Sequence, residues 1–257
     1  MAEAELLYEK RGHIVLVTIN RPEHRNALSI KVKHELKEAW ETFRDDDDAW
    51  VAILWGGKGD SFCAGQDLKE WGEFVQSKDK KGKWPDRWSP LDLEIFKPVI
   101  AAVNGYAVAG GCWLTTTCHL AVAADTAKFG ITEPRWNIGG GDQVAITRLI
   151  GLRHALELTV LPELVTAQRA YEMGLVNRVV PKGQELDEAF KMAEGILRCG
   201  PAAVRAFIES YYRTFGMEHF AARSFAAQIQ RGLSKMEDAK EGARAFLEKR
   251  PPKFQNR

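Results

Sequence analysis

The 257-residue chain is poor in the features that would mark it as disulfide-built, metal-built, membrane-spanning or nucleic-acid-coating. It has four cysteines, Cys63, Cys112, Cys118 and Cys199, with no CxxC pair and no zinc-like spacing. A disulfide framework and a structural metal site are excluded on that count, and the thiols read as reduced groups of a cytoplasmic protein. Neither charge is in excess, since 36 Lys and Arg face 35 Asp and Glu for a formal net charge of +1. That balance gives no support to nucleic-acid binding, although a small anionic ligand still fits. No apolar run reaches the roughly 20 residues of a membrane-spanning helix. The opening MAEAELLYEKRGH carries three Glu and lacks the apolar stretch of a signal peptide, so neither export by that route nor a membrane partner is expected. Low-complexity tracts and repeats of fixed period are lacking too. What is present is a 45% hydrophobic composition, in a chain long enough to bury about three quarters of its unfolded surface without disulfides or metals.

The pattern along the chain is α/β. IVLVTI at 14–19 reads as a strand, RPEHRN as a loop, and KVKHELKEAWETFRD at 31–45 has helical spacing. AWVAILWGG at 49–57 and PVIAAVNG at 98–105 are further strand-like runs ending in Gly56-Gly57 and Asn104-Gly105, each followed by a segment suited to starting a helix. Alternating strands and helices predict an α/β core over 1–182. From 183 to 257 only amphipathic helices remain, with stops at Gly200-Pro201 and Gly216 and a tail from Pro251-Pro252. The most hydrophilic stretch, 76–90, interrupts the core and is expected to be a mobile loop bordering a site.

Chemistry is concentrated in three glycine-rich segments: CAGQDL at 63–68, NGYAVAGGCW at 104–113 and NIGGGDQ at 137–143. None has the spacing of a dinucleotide or P-loop fingerprint. Glycines at strand ends and helix starts let backbone approach a ligand and turn N–H groups outward, so two such junctions can build an oxyanion hole; singly, each is equally a tight turn.

Together, SFCAGQDLKE, PVIAAVNGYAVAGGCWL and KFGITEPRWNIGGG, preceded by INRPEHRNALS and followed by AYEMGLVNRVVP and EGARAFLEKRPPKF, resemble the enoyl-CoA hydratase/isomerase family, the crotonase superfamily. The resemblance spans nearly the whole chain. It implies a spiral of ββα units, a C-terminal helical region that mediates trimerisation, and assembly as a trimer or dimer of trimers. It further implies an acyl-CoA thioester substrate, with coenzyme A part of the substrate and no separate cofactor. The thioester oxygen would lie between the backbone N–H groups of Gln66 and Gly110. Ala64, Asp67 and Leu68 would border the substrate, Ala64 offering its carbonyl to the adenine, and Lys249 would sit near the CoA phosphates unless it is simply a solvated helix end.

Glu133 matches the family glutamate that moves protons beside the thioester, a role that burial against an apolar acyl chain suits. The departure is Trp113, which stands where two-glutamate hydratases carry their second carboxylate; it either shapes the acyl pocket or packs in the core. Asp142 corresponds to the reactive aspartate of dienoyl-CoA isomerases and aromatic dehalogenases, with helix N-capping as its alternative. No histidine lies in 86–97, where the dehalogenase branch has its own. His119 reads as structural. Hydration of a 2-enoyl-CoA is the first reading, favoured by the single-carboxylate hydration the family permits. Double-bond isomerisation is the second, favoured by Trp113, and thioester or ring hydrolysis the third. A non-catalytic acyl-CoA- or RNA-binding relative is disfavoured by retention of both glycine-rich donors and Glu133. Trp71, Trp84 and Trp88 hint at a bulky or cyclic acyl group, or at a subunit interface.

Overall fold

The computed structural model describes residues 4–76 and 87–257. The chain starts with an antiparallel hairpin of β1 (Leu6–Arg11) and β2 (Ile14–Ile19). Helix α1 (Ile30–Asp45) follows, opened by Ser29, whose hydroxyl accepts the Val32 N–H at 3.0 Å. A strand–strand–helix unit then recurs. It comprises β3 (Val51–Trp55), β4 (Ser61–Cys63) and α2 (Leu68–Gln76), then β5 (Val99–Val103), β6 (Tyr106–Val108) and α3 (Gly110–Thr117), then β7 (Leu120–Ala124), β8 (Lys128–Gly130) and α4 (Gln143–Ile150). After α5 (Leu152–Val160), β9 (Val165–Thr166), α6 (Ala167–Met173) and β10 (Arg178–Val180) come four helices: α7 (Glu185–Leu197), α8 (Pro201–Thr214), α9 (His219–Gln230) and α10 (Glu237–Leu247).

Each unit contributes one strand to each of two sheets. The first has the order β1-β2-β3-β5-β7-β10 and is parallel from β2 onward; the second has the order β4-β6-β8-β9. The central strands are buried on both faces, which accounts for unbroken runs such as VIAAV and LAVAA. Alternate residues divide between two cores. Val15, Val17, Ala52 and Leu54 face the α1 side with Trp40 and Phe43, while Ile14, Leu16, Val51 and Ile53 face α7 through Ala189 and Ala193.

Two sequence expectations change. The segments after Gly56-Gly57 and Asn104-Gly105 enter β4 and β6 rather than helices, because a three-residue strand is too short to show a period. The recurring unit carries no sequence repeat, since its connections differ in length. Helix α7, beyond residue 182, packs Ala189 and Ala193 against one face of the first sheet. The tail after Pro251-Pro252 is tied to α10: the Asp238 carboxylate accepts the N–H groups of Gln255 and Asn256, both at 2.8 Å. His119 is structural. It accepts the Val99 N–H at Nδ1 at 3.0 Å, and burial pushes its pKa down to about 4, so it is neutral near pH 7. Among the described residues no helix is long and apolar enough to cross a membrane.

Candidate active site

The loop between β2 and α1 is held against the ends of β3 and β4 by Asn26, a fully buried amide. Its Nδ2 donates to the carbonyls of Gly56 and Ser61 at 2.7 and 2.8 Å, and its Oδ1 accepts the Arg21 N–H at 2.9 Å. Leu28 is thereby set beside Gln66. The parallel bridge between them uses the flanking groups, with the Leu28 N–H donating to the Gly65 carbonyl at 2.7 Å and the Asp67 N–H donating to the Leu28 carbonyl at 3.1 Å. Such a bridge skips the Gln66 N–H, which has no backbone acceptor among the described residues. The second N–H belongs to Gly110, the first residue of α3, where no helical acceptor exists. The two positions are neighbours, since a Cβ on Gly110 would lie 3.6 Å from the Gln66 nitrogen. Ala109 turns the chain between β6 and α3 at φ 52° and ψ −124°, a strained conformation for a residue with a Cβ and one that aims the Gly110 N–H outward.

Both N–H groups open on a cavity of about 340 Å³. Opposite them, Glu133 starts a 3-10 turn after β8. Its Oε1 accepts the indole N–H of Trp113 at 3.1 Å. Its Oε2 is buried and has no hydrogen-bond partner among the described residues. Desolvation raises the pKa of Glu133, opposed by its own backbone N–H and by the Trp113 hydrogen bond. The indole in turn is backed by Gly141, at φ +74°, where any Cβ would fall 1.9 Å from the ring. The residues carrying two backbone donors suited to a developing oxyanion thus line the same cavity as a half-buried carboxylate, one oxygen of which has no hydrogen-bond partner among the described residues.

The model of the enoyl-CoA hydratase/isomerase family matches residues 9–257. The chain belongs to the enoyl-CoA hydratase/isomerase family. Enoyl-CoA hydratase EchA19 of Mycobacterium tuberculosis is 40% identical over 98% of this chain and 97% of its own. Mevalonyl-coenzyme A hydratase of Aspergillus fumigatus is 34% identical over 94% of this chain and 91% of its own. The crystal structure of an enoyl-CoA hydratase from Mycobacterium tuberculosis superposes with a TM-score of 0.89 at 36% identity, covering 99% of this chain and 100% of that one. The crotonase fold expected from the motifs is therefore present.

For an enoyl-CoA hydratase/isomerase, several residues named from the motifs meet at this cavity and others do not. Ala64, Gln66, Leu68, Gly110, Trp113 and Glu133 line it, joined by Trp71, Trp88, Trp136 and Gly139–Gly141. Trp84 and most of the hydrophilic segment 76–90 lie outside the described residues. Asp67 is turned away, accepting the Lys69 and Glu70 N–H groups at the start of α2 and facing Arg21 at 3.5 Å. Lys249 is an exposed residue just past α10 and does not line the cavity. Asp142 caps α4, accepting the Ala145 N–H at 2.9 Å, and borders a different cavity beside Arg148 and Thr116. Asp142→Ala is expected to lower stability by about 1 kcal/mol through loss of the cap and to keep most turnover. Urea melts and steady-state rates check both, and a turnover loss as deep as that of a general acid/base would move Asp142 into the chemistry.

Sequence reasoning missed the lysine in the lining, Lys33. It is only 4% exposed, and its ammonium donates to Gln66 Oε1 at 2.6 Å and lies 5.0 Å from the centre of the Trp88 ring. A signal existed: Lys33 heads the stripe Lys33, Leu36, Trp40, Phe43, whose other members are all core.

Proposed function

We propose that this protein is an enoyl-CoA hydratase that works with one carboxylate, Glu133. The observation carrying this reading is that Glu133, whose buried Oε2 has no partner among the described residues, lines the same cavity as Gln66 and Gly110, whose N–H groups have no backbone acceptor there. The thioester oxygen of a 2-enoyl-CoA accepts those two N–H groups. Glu133 takes a proton from water as the water oxygen bonds to C3, and the π electrons of the double bond shift to the thioester oxygen as an enolate. Glu133 then returns the proton to C2, and the enolate collapses to a 3-hydroxyacyl-CoA. Each two-donor contact strengthens as charge develops, which is where oxyanion stabilisation accelerates a reaction. Trp113 cannot carry a proton, and in this reading its indole N–H fixes one oxygen of Glu133 so that the other faces the substrate.

The hydratases among the relatives support water addition over isomerisation. The tryptophans around the cavity support an acyl group with a flat or cyclic body. Incubation with crotonyl-CoA and a panel of 3-enoyl, dienoyl and cyclic enoyl-CoA esters in heavy-oxygen water, read by mass spectrometry, tests the reaction. Gain of one labelled water with the thioester intact is expected. Deuterium uptake in deuterated water without oxygen gain would mean isomerisation, and free CoA would mean hydrolysis.

The helical C-terminus supports self-association as a trimer or dimer of trimers. Phe220, Phe246 and Leu247 are large apolar side chains left exposed there. Light scattering should return a mass three or six times 28.8 kDa, and a monomer would remove this part of the reading. The free state of all four cysteines suits a reducing cytoplasm.

A further inference from the structure

Lys33 occupies the first turn of α1 and is the basic side chain among the described residues lining the cavity. Its contact with Gln66 is one end of a strap. The Gln66 side-chain amide takes the Lys33 ammonium on its oxygen at 2.6 Å and donates from Nε2 to the Leu28 carbonyl at 2.8 Å. That same carbonyl receives the Asp67 N–H. Side chain and backbone of residue 66 are thus anchored on both sides of the N–H that opens on the cavity.

We propose that Lys33 is a positioning residue for the oxyanion hole: its ammonium holds the Gln66 peptide through the side-chain amide and sets a positive charge behind the N–H that receives the thioester oxygen. The inference rests on the acyl-CoA reading above. A neutral thioester gains little from that charge, whereas an enolate oxygen gains much more, so the benefit falls on kcat rather than on KM.

Among the described residues the titratable groups facing Lys33 include Glu70 from α2, Asp92 from the segment before β5, and the Cys63 thiol of β4. Both carboxylates also accept other donors, Glu70 from the Ile30 N–H at 2.7 Å and Asp92 from the Ser89 hydroxyl at 2.7 Å. Burial outweighs their pull and brings the Lys33 pKa down to about 8. The nearby thiol of Cys63 moves the other way, pushed up to about 12 by burial. The charge on Lys33 is therefore present below about pH 8 and lost above it. In the free enzyme this gives kcat/KM an alkaline limb.

The test compares wild type, Lys33→Met and Lys33→Arg by two readouts. One is the dependence of kcat and kcat/KM for crotonyl-CoA on pH. The other is the fraction of bound acetoacetyl-CoA held as its enolate, read by near-ultraviolet absorbance. Lys33→Met is expected to lower kcat by about 10- to 50-fold, the size of a unit charge acting over one side chain's length in a partly polar site. KM should change little, the alkaline limb should vanish and the enolate fraction should drop. Lys33→Arg, which keeps its charge at all these pH values, should retain the enolate fraction and lose the limb. A Lys33→Met protein that keeps both the limb and the enolate fraction overturns the proposal, even if its kcat falls. If wild type turns over no enoyl-CoA, the hydration reading fails, while the enolate readout still decides the role of Lys33.

Discussion

Replacing Glu133 with Gln is expected to reduce turnover at least about 100-fold, as for loss of a general acid/base, while acyl-CoA binding is preserved. The substitution keeps shape. The Gln oxygen can still accept the Trp113 indole N–H, but the second side-chain oxygen becomes an amide nitrogen, which accepts no proton. The binding surface, made by the Gln66 and Gly110 N–H groups and the tryptophan walls, is untouched. Stability should move in the opposite direction to activity. Burial raises the Glu133 pKa in the folded protein above its ordinary 4.5. The group therefore favours folding most below pH 4.5 and penalises it increasingly as pH rises through the folded pKa. Gln removes that penalty, so the melting temperature at pH 7 should stay level or rise. Initial rates, calorimetric titration with a non-reacting acyl-CoA and a thermal melt measure the three quantities. Turnover near wild type would remove Glu133 from the mechanism, and a clear drop in melting temperature would contradict the desolvation argument.

Trp113→Phe is expected to cost about 10- to 100-fold in kcat, the worth of a hydrogen bond to a charged group. Phe fills most of the same space but leaves Glu133 Oε1 without its donor. Two consequences follow for that carboxylate. Its orientation loosens, and its pKa climbs further, because the indole bond is one of the influences that hold it down. The acid limb of the kcat/KM profile should consequently shift to higher pH. Trp113 also belongs to the core, at 6% exposure, so the smaller ring should lower stability by about 1–2 kcal/mol. A kcat and an acid limb both unchanged from wild type would show that Trp113 only fills space.

Much of this molecule is legible before folding. The runs at 14–19, 49–57 and 98–105 contain β2, β3 and β5, and the spacing at 31–45 describes α1 within one residue. These elements are recognisable because burial on both faces, or on one helical stripe, imposes a strong periodic pattern. The strands β4 and β6 escape because they are three residues long. They are nevertheless the strands that carry the site, since Gln66 follows β4 closely and Gly110 follows β6. Close packing at this junction is severe: a Cβ on Gly111 would fall 2.0 Å from the Cys63 carbonyl oxygen, which ties α3 to β4.

The site divides along the same line. Glu133, Gln66 and Gly110 stand in segments whose glycines and family motifs are visible in one dimension, and in the proposed reaction they act through local groups, a carboxylate and two backbone N–H donors. Asp142 shows the limit of such reading. A short acid after three glycines serves equally as a reactive aspartate or a cap, and only the placement of α4 turns its carboxylate onto the Ala145 N–H and beside another cavity.

By itself, then, the sequence determined the family, the α/β alternation, the helical C-terminus and the segments that meet at the cavity, since each shows in residues close along the chain. The tertiary structure alone decided the pairings across distance. Trp113 reaches Glu133 twenty positions away, and Lys33 reaches Gln66 thirty-three positions away. Whether an indole is packing or a hydrogen-bond donor, and whether a lysine is solvated or buried behind an oxyanion hole, follows from which helices the spiral brings together, and no local pattern carries that information.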